Sequence, residues 1–164
     1  LKISTALVLD ADALNCLATI DQWWTYLTRP AILTPHPGEM SRLTKLSLKA
    51  IEADRVRVAI EFAKTWGHVV VLKGAFTAIA APDGRSILMP FANPALAMAG
   101  SGAVFAGTIA AMVSQGLKPF EAAMCGAYLH GVSGELARRE IGAAGVLAGD
   151  LLRFLPQAIR QIVS

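Results

Sequence analysis

The chain has 164 residues, 54% of them hydrophobic and 16% charged, which is enough to bury one core and too little to argue for two. That composition excludes a disordered or fibrous chain. Lys and Arg exceed Asp and Glu by 15 to 12, a surplus too small and too scattered for a nucleic-acid stripe, although small anionic ligands remain compatible with it.

Ala6 to Leu9 is a short apolar run ending at Asp10, the pattern of a buried strand with polar groups at its C-terminal end, where Asp10, Asp12 and Asn15 cluster. Asp21 to Leu27 reads as a helix, and Ala31 to Leu33 as a second buried strand. In Thr34-Pro35-His36-Pro37-Gly38-Glu39 a proline on each side of His36 forbids helix through it and presents it on an extended turn, after which Glu39 to Leu43 begins a helical turn. From Lys49 to Trp66 the apolar residues recur at three- and four-residue intervals, an amphipathic helix stopped by Gly67. Val69 to Leu72 is a buried strand ending at Lys73-Gly74, and Thr77 to Ala81 enters the turn Pro82-Asp83-Gly84 so that Ser86 to Met89 pairs back as a hairpin.

No charge occurs between Ser86 and Leu117, but Asn93-Pro94 and Gly100-Ser101-Gly102 interrupt the stretch, so it reads as a buried loop and helix and not as a membrane span. Helices follow from Ala103 to Ser114, from Pro119 to Arg139 and from Asp150 to Ile162. Strand and helix alternate as in an α/β domain with a mainly parallel sheet flanked by helices, taken here as one unit over residues 1–164. The high Ala and Gly content of the two central helices permits close packing between subunits, hence an expected homo-oligomer. Cys16 and Cys125 lack paired spacing, as expected of reduced thiols in a cytoplasmic protein. No leader pattern is visible, and a chain that starts at Leu1 and not at Met is expected to be a piece of something longer.

The chemistry concentrates at strand ends. Gly100-Ser101-Gly102 leads into an uncharged helix, which supplies unobstructed backbone N–H groups and the positive end of a helix dipole, suited to a phosphate. Glycines also occur where helices merely pack closely, so this loop does not decide alone. Lys73-Gly74-Ala75-Phe76-Thr77 puts a lysine, a glycine and a hydroxyl at a strand end, as a nucleotide site or a snorkelling lysine would. His68 and His130 read as packing residues, and no His, Cys or carboxylate set has metal-site spacing. Asp12, His36, Lys73 and Gly102 all fall at strand ends or helix starts, which converge on one crevice in an open α/β sheet.

LDADALN at Leu9 to Asn15, LTPHPGEMSRL at Leu33 to Leu43, VVLKGAFT at Val70 to Thr77 and MAGSGAVFAG at Met98 to Gly107 occur in this order, followed by AAMCGAYLHGVSGE at Ala122 to Glu135 and GVLAGDLL at Gly145 to Leu152. Together they resemble the ADP- or ATP-dependent NAD(P)H-hydrate dehydratases, lyases of metabolite repair with a ribokinase-like fold. The resemblance implies dehydration of the S-epimer of hydrated NADH or NADPH at the expense of ADP or ATP, with Mg2+ carried by the nucleotide phosphates. It implies that His36 contacts the hydrated nucleotide, that Lys73, Gly74, Ala75, Phe76 and Thr77 hold the adenine nucleotide, and that Gly100, Ser101 and Gly102 take its phosphate region. Asp12 and Asn15 are expected in the same crevice.

The sequence departs from this family in two respects. The family's loop reads Gly-Thr-Gly-Asp, so Ser101 replaces the threonine and Ala103 stands where the catalytic aspartate is expected. Loss of a general base costs roughly 10²- to 10⁴-fold in rate, whereas an anion site of backbone N–H groups survives it. The similarity also covers only the C-terminal part of the family's domain, which leaves a missing N-terminal segment or an epimerase partner to be expected. Two other readings stay open: a ribokinase-like small-molecule kinase, and a non-catalytic nucleotide-binding or assembly subunit.

Overall fold

The computed structural model describes residues 6–163, so the first five residues and Ser164 of the expected domain lie outside it. Strands β1 (Leu7–Leu9), β2 (Ala31–Leu33) and β3 (Val69–Leu72) lie side by side and parallel. β4 (Ala78–Ala80) and β5 (Ser86–Leu88) extend the sheet as an antiparallel meander, in the order β1-β2-β3-β4-β5. Because β5 reverses β4, every strand except β4 runs in one direction, as the alternation of strands and helices predicts.

The central strands are apolar on both faces because helices cover both. Ile32, Val69, Val71 and Ile79 pack on one side with α5 (Ser101–Ser114) and α6 (Pro119–Ile141). Ala31, Leu33, Val70 and Leu72 pack on the other, against a cluster drawn from α1 (Asp12–Leu17), α2 (Pro37–Thr44), α3 (Leu48–Ala53) and α4 (Arg55–Trp66). α7 (Ala148–Val163) closes over α6 through Leu151 and Phe154, which meet Ala137. Burying one such Leu or Phe side chain is worth about 1.5–3 kcal/mol.

Two helices differ from the sequence reading. Asp21 to Leu27 forms only a 3-10 turn, Trp23–Tyr26. Gln22 before it has φ 51° and provides no side-chain cap, while Trp23 is drawn into an aromatic cluster 4.9 Å from Trp66 and 5.7 Å from Trp24. The helix in this region is instead α1. The helix expected from Lys49 to Trp66 is two, α3 and α4, broken at Asp54 with φ −155°. Asp54 caps the second by accepting from the Arg57 N–H at 2.9 Å, a local bond that competes with continued helix.

The small residues of α5 and α6 are used inside the chain. A Cβ on Gly126 of α6 would come within 2.8 Å of the Ile109 Cα of α5, so the two backbones nearly touch. This packing accounts for the composition that suggested association between subunits. The uncharged stretch resolves into a 3-10 turn, Pro94–Leu96, a loop and α5. Among the described residues no helix is long and apolar enough to cross a membrane.

Candidate functional site

Parallel strands carry their C-terminal ends to a single edge, which is where the chemistry gathers. Asp10 follows β1, Thr34 follows β2 and Lys73 follows β3. Lys73 Nζ donates to Asp10 Oδ1 at 2.6 Å and lies 3.9 Å from Glu39 Oε2, while Thr34 Oγ1 donates to Asp10 Oδ1 at 2.8 Å. Two carboxylates thus bracket one ammonium, and the formal sum is −1. Lys73 is therefore not an idle cation. An incoming phosphate has to be neutralised by more than this side chain.

Gly102, in the first turn of α5, faces this cluster: a Cβ there would lie 3.6 Å from Asp10 Oδ2 and 3.7 Å from Lys73 Nζ. The turn ahead of it is built by Gly100 at φ 86°, where α7 approaches so closely that a Cβ would be 3.1 Å from the Ala148 Cβ. Ser101 N–H donates to the Met98 carbonyl and Ala103 N–H to the Gly100 carbonyl. The Gly102 N–H has no backbone acceptor among the described residues, which makes it the donor of this turn left for an anion. Ser101 is tied back as well, its hydroxyl shared between the carbonyls of Leu96 (2.7 Å) and Met98 (2.9 Å). Its side chain thereby holds the shape of the turn.

His36 caps α2. Its Nδ1 accepts from the N–H groups of Gly38 (2.9 Å) and Glu39 (3.3 Å), and Glu39 Oε2 accepts from the His36 N–H at 2.8 Å. This reciprocal box places the proton of a neutral ring on Nε2 and holds the exposed ring beside the carboxylate cluster.

Next to the cluster opens a cleft of about 310 Å³. Lys73, Gly74, Ala75 and Thr77 form one wall, Phe91, Asn93, Pro94 and Leu96 the second, and Ser101, Gly102, Phe105 and His130 the third. Its size and mostly apolar lining with a few polar atoms match a small-molecule site. Asn93 is buried, its Oδ1 accepting from the Ala95 N–H at 2.9 Å while its Nδ2 has no partner among the described residues. His130 stacks edge-on to Phe105 at 5.0 Å, and its Nε2 is buried without a partner. Burial pushes its pKa down to about 4 against an opposing hydrogen bond with the Ser101 backbone, so the ring is neutral near pH 7.

The cleft thus brings together Lys73, Gly74, Ala75, Thr77, Ser101 and Gly102. Phe76 is turned away, with φ 54° and its ring half-exposed, because its N–H donates to the Phe91 carbonyl at 2.7 Å. Asn15 is also diverted: its Oδ1 accepts from Arg42 Nε at 2.9 Å and ties α1 to α2. Asp12 is exposed at the start of α1, and Asp10 takes the crevice position instead, being the first residue beyond β1. Ala103 is exposed and lines a separate apolar groove with Val104, Leu152, Leu155 and Ile159.

Sequence reasoning missed Thr34, Glu39, Asn93 and His130. Asn93-Pro94 was legible as a turn, but nothing local revealed that its amide faces the cleft. His130 sits on an Ala-rich helix and is a packing residue that also lines the site. His68 is buried outside the cleft, stacked on Trp23 at 6.4 Å.

A family model described as NAD(P)H-hydrate dehydratase matches residues 1–157. The chain is 48% identical over 161 residues to a bifunctional NAD(P)H-hydrate repair enzyme of Moorella thermoacetica, covering 98% of this chain and 30% of that one. The crystal structure of an ADP/ATP-dependent NAD(P)H-hydrate dehydratase from Bacillus subtilis, co-crystallised with ATP and Mg2+, superposes with a TM-score of 0.86 at 38% identity, over 95% of this chain and 55% of that one. A ribokinase-like superfamily protein of Enterococcus faecalis gives 0.74 at 28% identity, over 94% and 52%. The chain therefore spans about half of the solved structures it matches and less than a third of the Moorella protein.

Proposed function

Because the chain belongs to the NAD(P)H-hydrate dehydratase family and has its ribokinase-like α/β fold, we propose that it serves ADP- or ATP-dependent repair of the S-epimer of hydrated NADH and NADPH. The observation that carries this reading is the cleft itself, in which the Lys73 loop meets the Gly102 turn. We read residues 1–164 as one domain of that activity, and the unpaired Cys16 and Cys125 as thiols of a cytoplasmic protein.

In this reading Lys73, Gly74, Ala75 and Thr77 hold the adenine nucleotide while the Gly102 N–H and the α5 dipole receive its phosphates. His36, across the carboxylate cluster, meets the hydrated nicotinamide. The terminal phosphoryl group passes to the hydrate's ring hydroxyl, whose proton leaves. Elimination then breaks the carbon–oxygen bond and a carbon–hydrogen bond on the adjacent ring carbon, so the hydroxyl oxygen departs with phosphate, the proton passes to solvent and the ring double bond of the reduced nicotinamide is restored. Alignment and charge stabilisation are the protein's tasks. The fold family implies Mg2+, and Asp10 with Glu39 offers the oxygen donors this ion takes. In this reading the ion would be carried by the nucleotide's phosphates.

Ala103 favours a second reading, in which the chain binds nucleotide without turning over. Calorimetry with ADP and Mg2+, paired with an assay for recovery of reduced-nicotinamide absorbance, separates the outcomes. Binding with turnover supports repair, and binding without turnover supports the second reading. Absence of ADP binding eliminates both. Accumulation of a phosphorylated alcohol or sugar would point instead to a small-molecule kinase.

A further inference from the structure

We infer that Arg55 is the positioning residue of the nucleotide loop, a role that rests on reading the cleft as a nucleotide site. Arg55 opens α4, remote in sequence from the loop it holds. Its Nη2 donates to the carbonyls of Leu72 (2.9 Å) and Lys73 (2.7 Å), and its Nη1 to the carbonyl of Ala75 (2.8 Å). One planar guanidinium therefore grips three carbonyls within four consecutive residues, between the end of β3 and the cleft wall.

The loop requires such a grip because two of its residues occupy backbone conformations that do not hold themselves. Gly74 has φ +148° and Phe76 has φ 54°, and a left-handed non-glycine residue persists only where its surroundings enforce it. Gly74 has a second reason to be glycine: a Cβ would sit 2.6 Å from Arg55 Nη2 and 2.7 Å from Nη1, inside the space the guanidinium fills. All three bonds of Arg55 go to neutral carbonyl oxygens, so among the described residues no carboxylate cancels its charge. Lys73 nearby is already matched by Asp10. Arg55 thus fixes the shape of the loop and adds beneath it one positive charge that offsets the −1 of the Lys73, Asp10 and Glu39 cluster, which lessens the repulsion of an anionic nucleotide. Lysine cannot replace it, because an ammonium on a flexible stem lacks the fixed fork that spans three acceptors.

The test compares Arg55→Ala, Arg55→Lys and Gly74→Ala in the purified protein, by amide hydrogen exchange without ligand and by ADP titration in the presence of Mg2+. Exchange should accelerate at Phe76, whose N–H donates to the Phe91 carbonyl, while Val69 to Leu72 stays protected, and ADP affinity should fall roughly tenfold or more in all three variants. Added guanidinium ion, below denaturing concentration, should partly restore both readouts in Arg55→Ala and neither in Gly74→Ala, where the space is filled. A merely structural role predicts loss of protection across β3 and no rescue. Unchanged exchange at the Phe76 amide, or an Arg55→Lys variant that binds ADP like the unmodified protein, overturns the assignment of Arg55. Failure of the unmodified protein to bind ADP is a different result, which removes the nucleotide reading on which the assignment rests.

Discussion

Ala103 is the third residue of α5 after the Gly100 cap, exposed, and follows directly on Gly102 of the cleft. A methyl group there accepts no proton. Ala103→Asp, introduced into the longest available form of the protein, is expected to raise hydrate turnover by roughly 10²- to 10⁴-fold. The same carboxylate lies in the first turn of a helix, where it should add about 0.3–1 kcal/mol of stability, so expression and melting will not confound the assay. No gain in turnover would show that this position does not act as the base. At the same scale Lys73 was legible as a site residue, yet its engagement with Asp10 was not. The two are joined by a 2.6 Å contact across sixty-three positions of sequence, a distance that no local pattern bridges.

The elements divide along similar lines. Strands β1 to β3 were readable because each is a short unbroken apolar run, and a strand covered on both faces must be apolar throughout. The break between α3 and α4 was missed because hydrophobic spacing continues through it. Asp54 interrupts the backbone, and a capping residue inside a periodic pattern is visible only to a reader who gives the cap precedence. The glycines of α5 and α6 differ in what surrounds them. Gly107 has nothing within 4 Å of a built Cβ, whereas Gly126 meets the backbone of Ile109. Gly107→Ala should therefore stabilise the protein by about 0.5–1 kcal/mol through helix propensity. Gly126→Ala should cost about 1–3 kcal/mol, because α5 and α6 must move apart. Denaturant unfolding of the two variants measures both, and equal signs would refute the packing argument.

Across the whole molecule, the site is a junction of both helical layers with one edge of the sheet, and His130 couples it to global stability. The ring is neutral when folded, its pKa pushed down to about 4 by burial from an ordinary value of 6.5. The unfolded chain thus binds a proton that the folded one refuses. Stability is complete above pH 6.5 and falls as the pH drops toward 4, by an amount on the order of 3 kcal/mol from this group. Unfolding midpoints followed across that window should slope accordingly, and His130→Phe should flatten the slope; an unaltered slope would show that other groups set the acid limit. The sequence by itself determined the α/β class, the strands, the Lys73 and Gly102 segments and the family, because apolar runs, turn residues and ordered motifs are local properties. Only the tertiary structure decided that Asp10 and not Asp12 faces Lys73, that Arg55 grips the loop and that Asn93 and His130 line the cleft. Those facts depend on which way a side chain points once distant segments have packed, and long-range packing leaves no local trace.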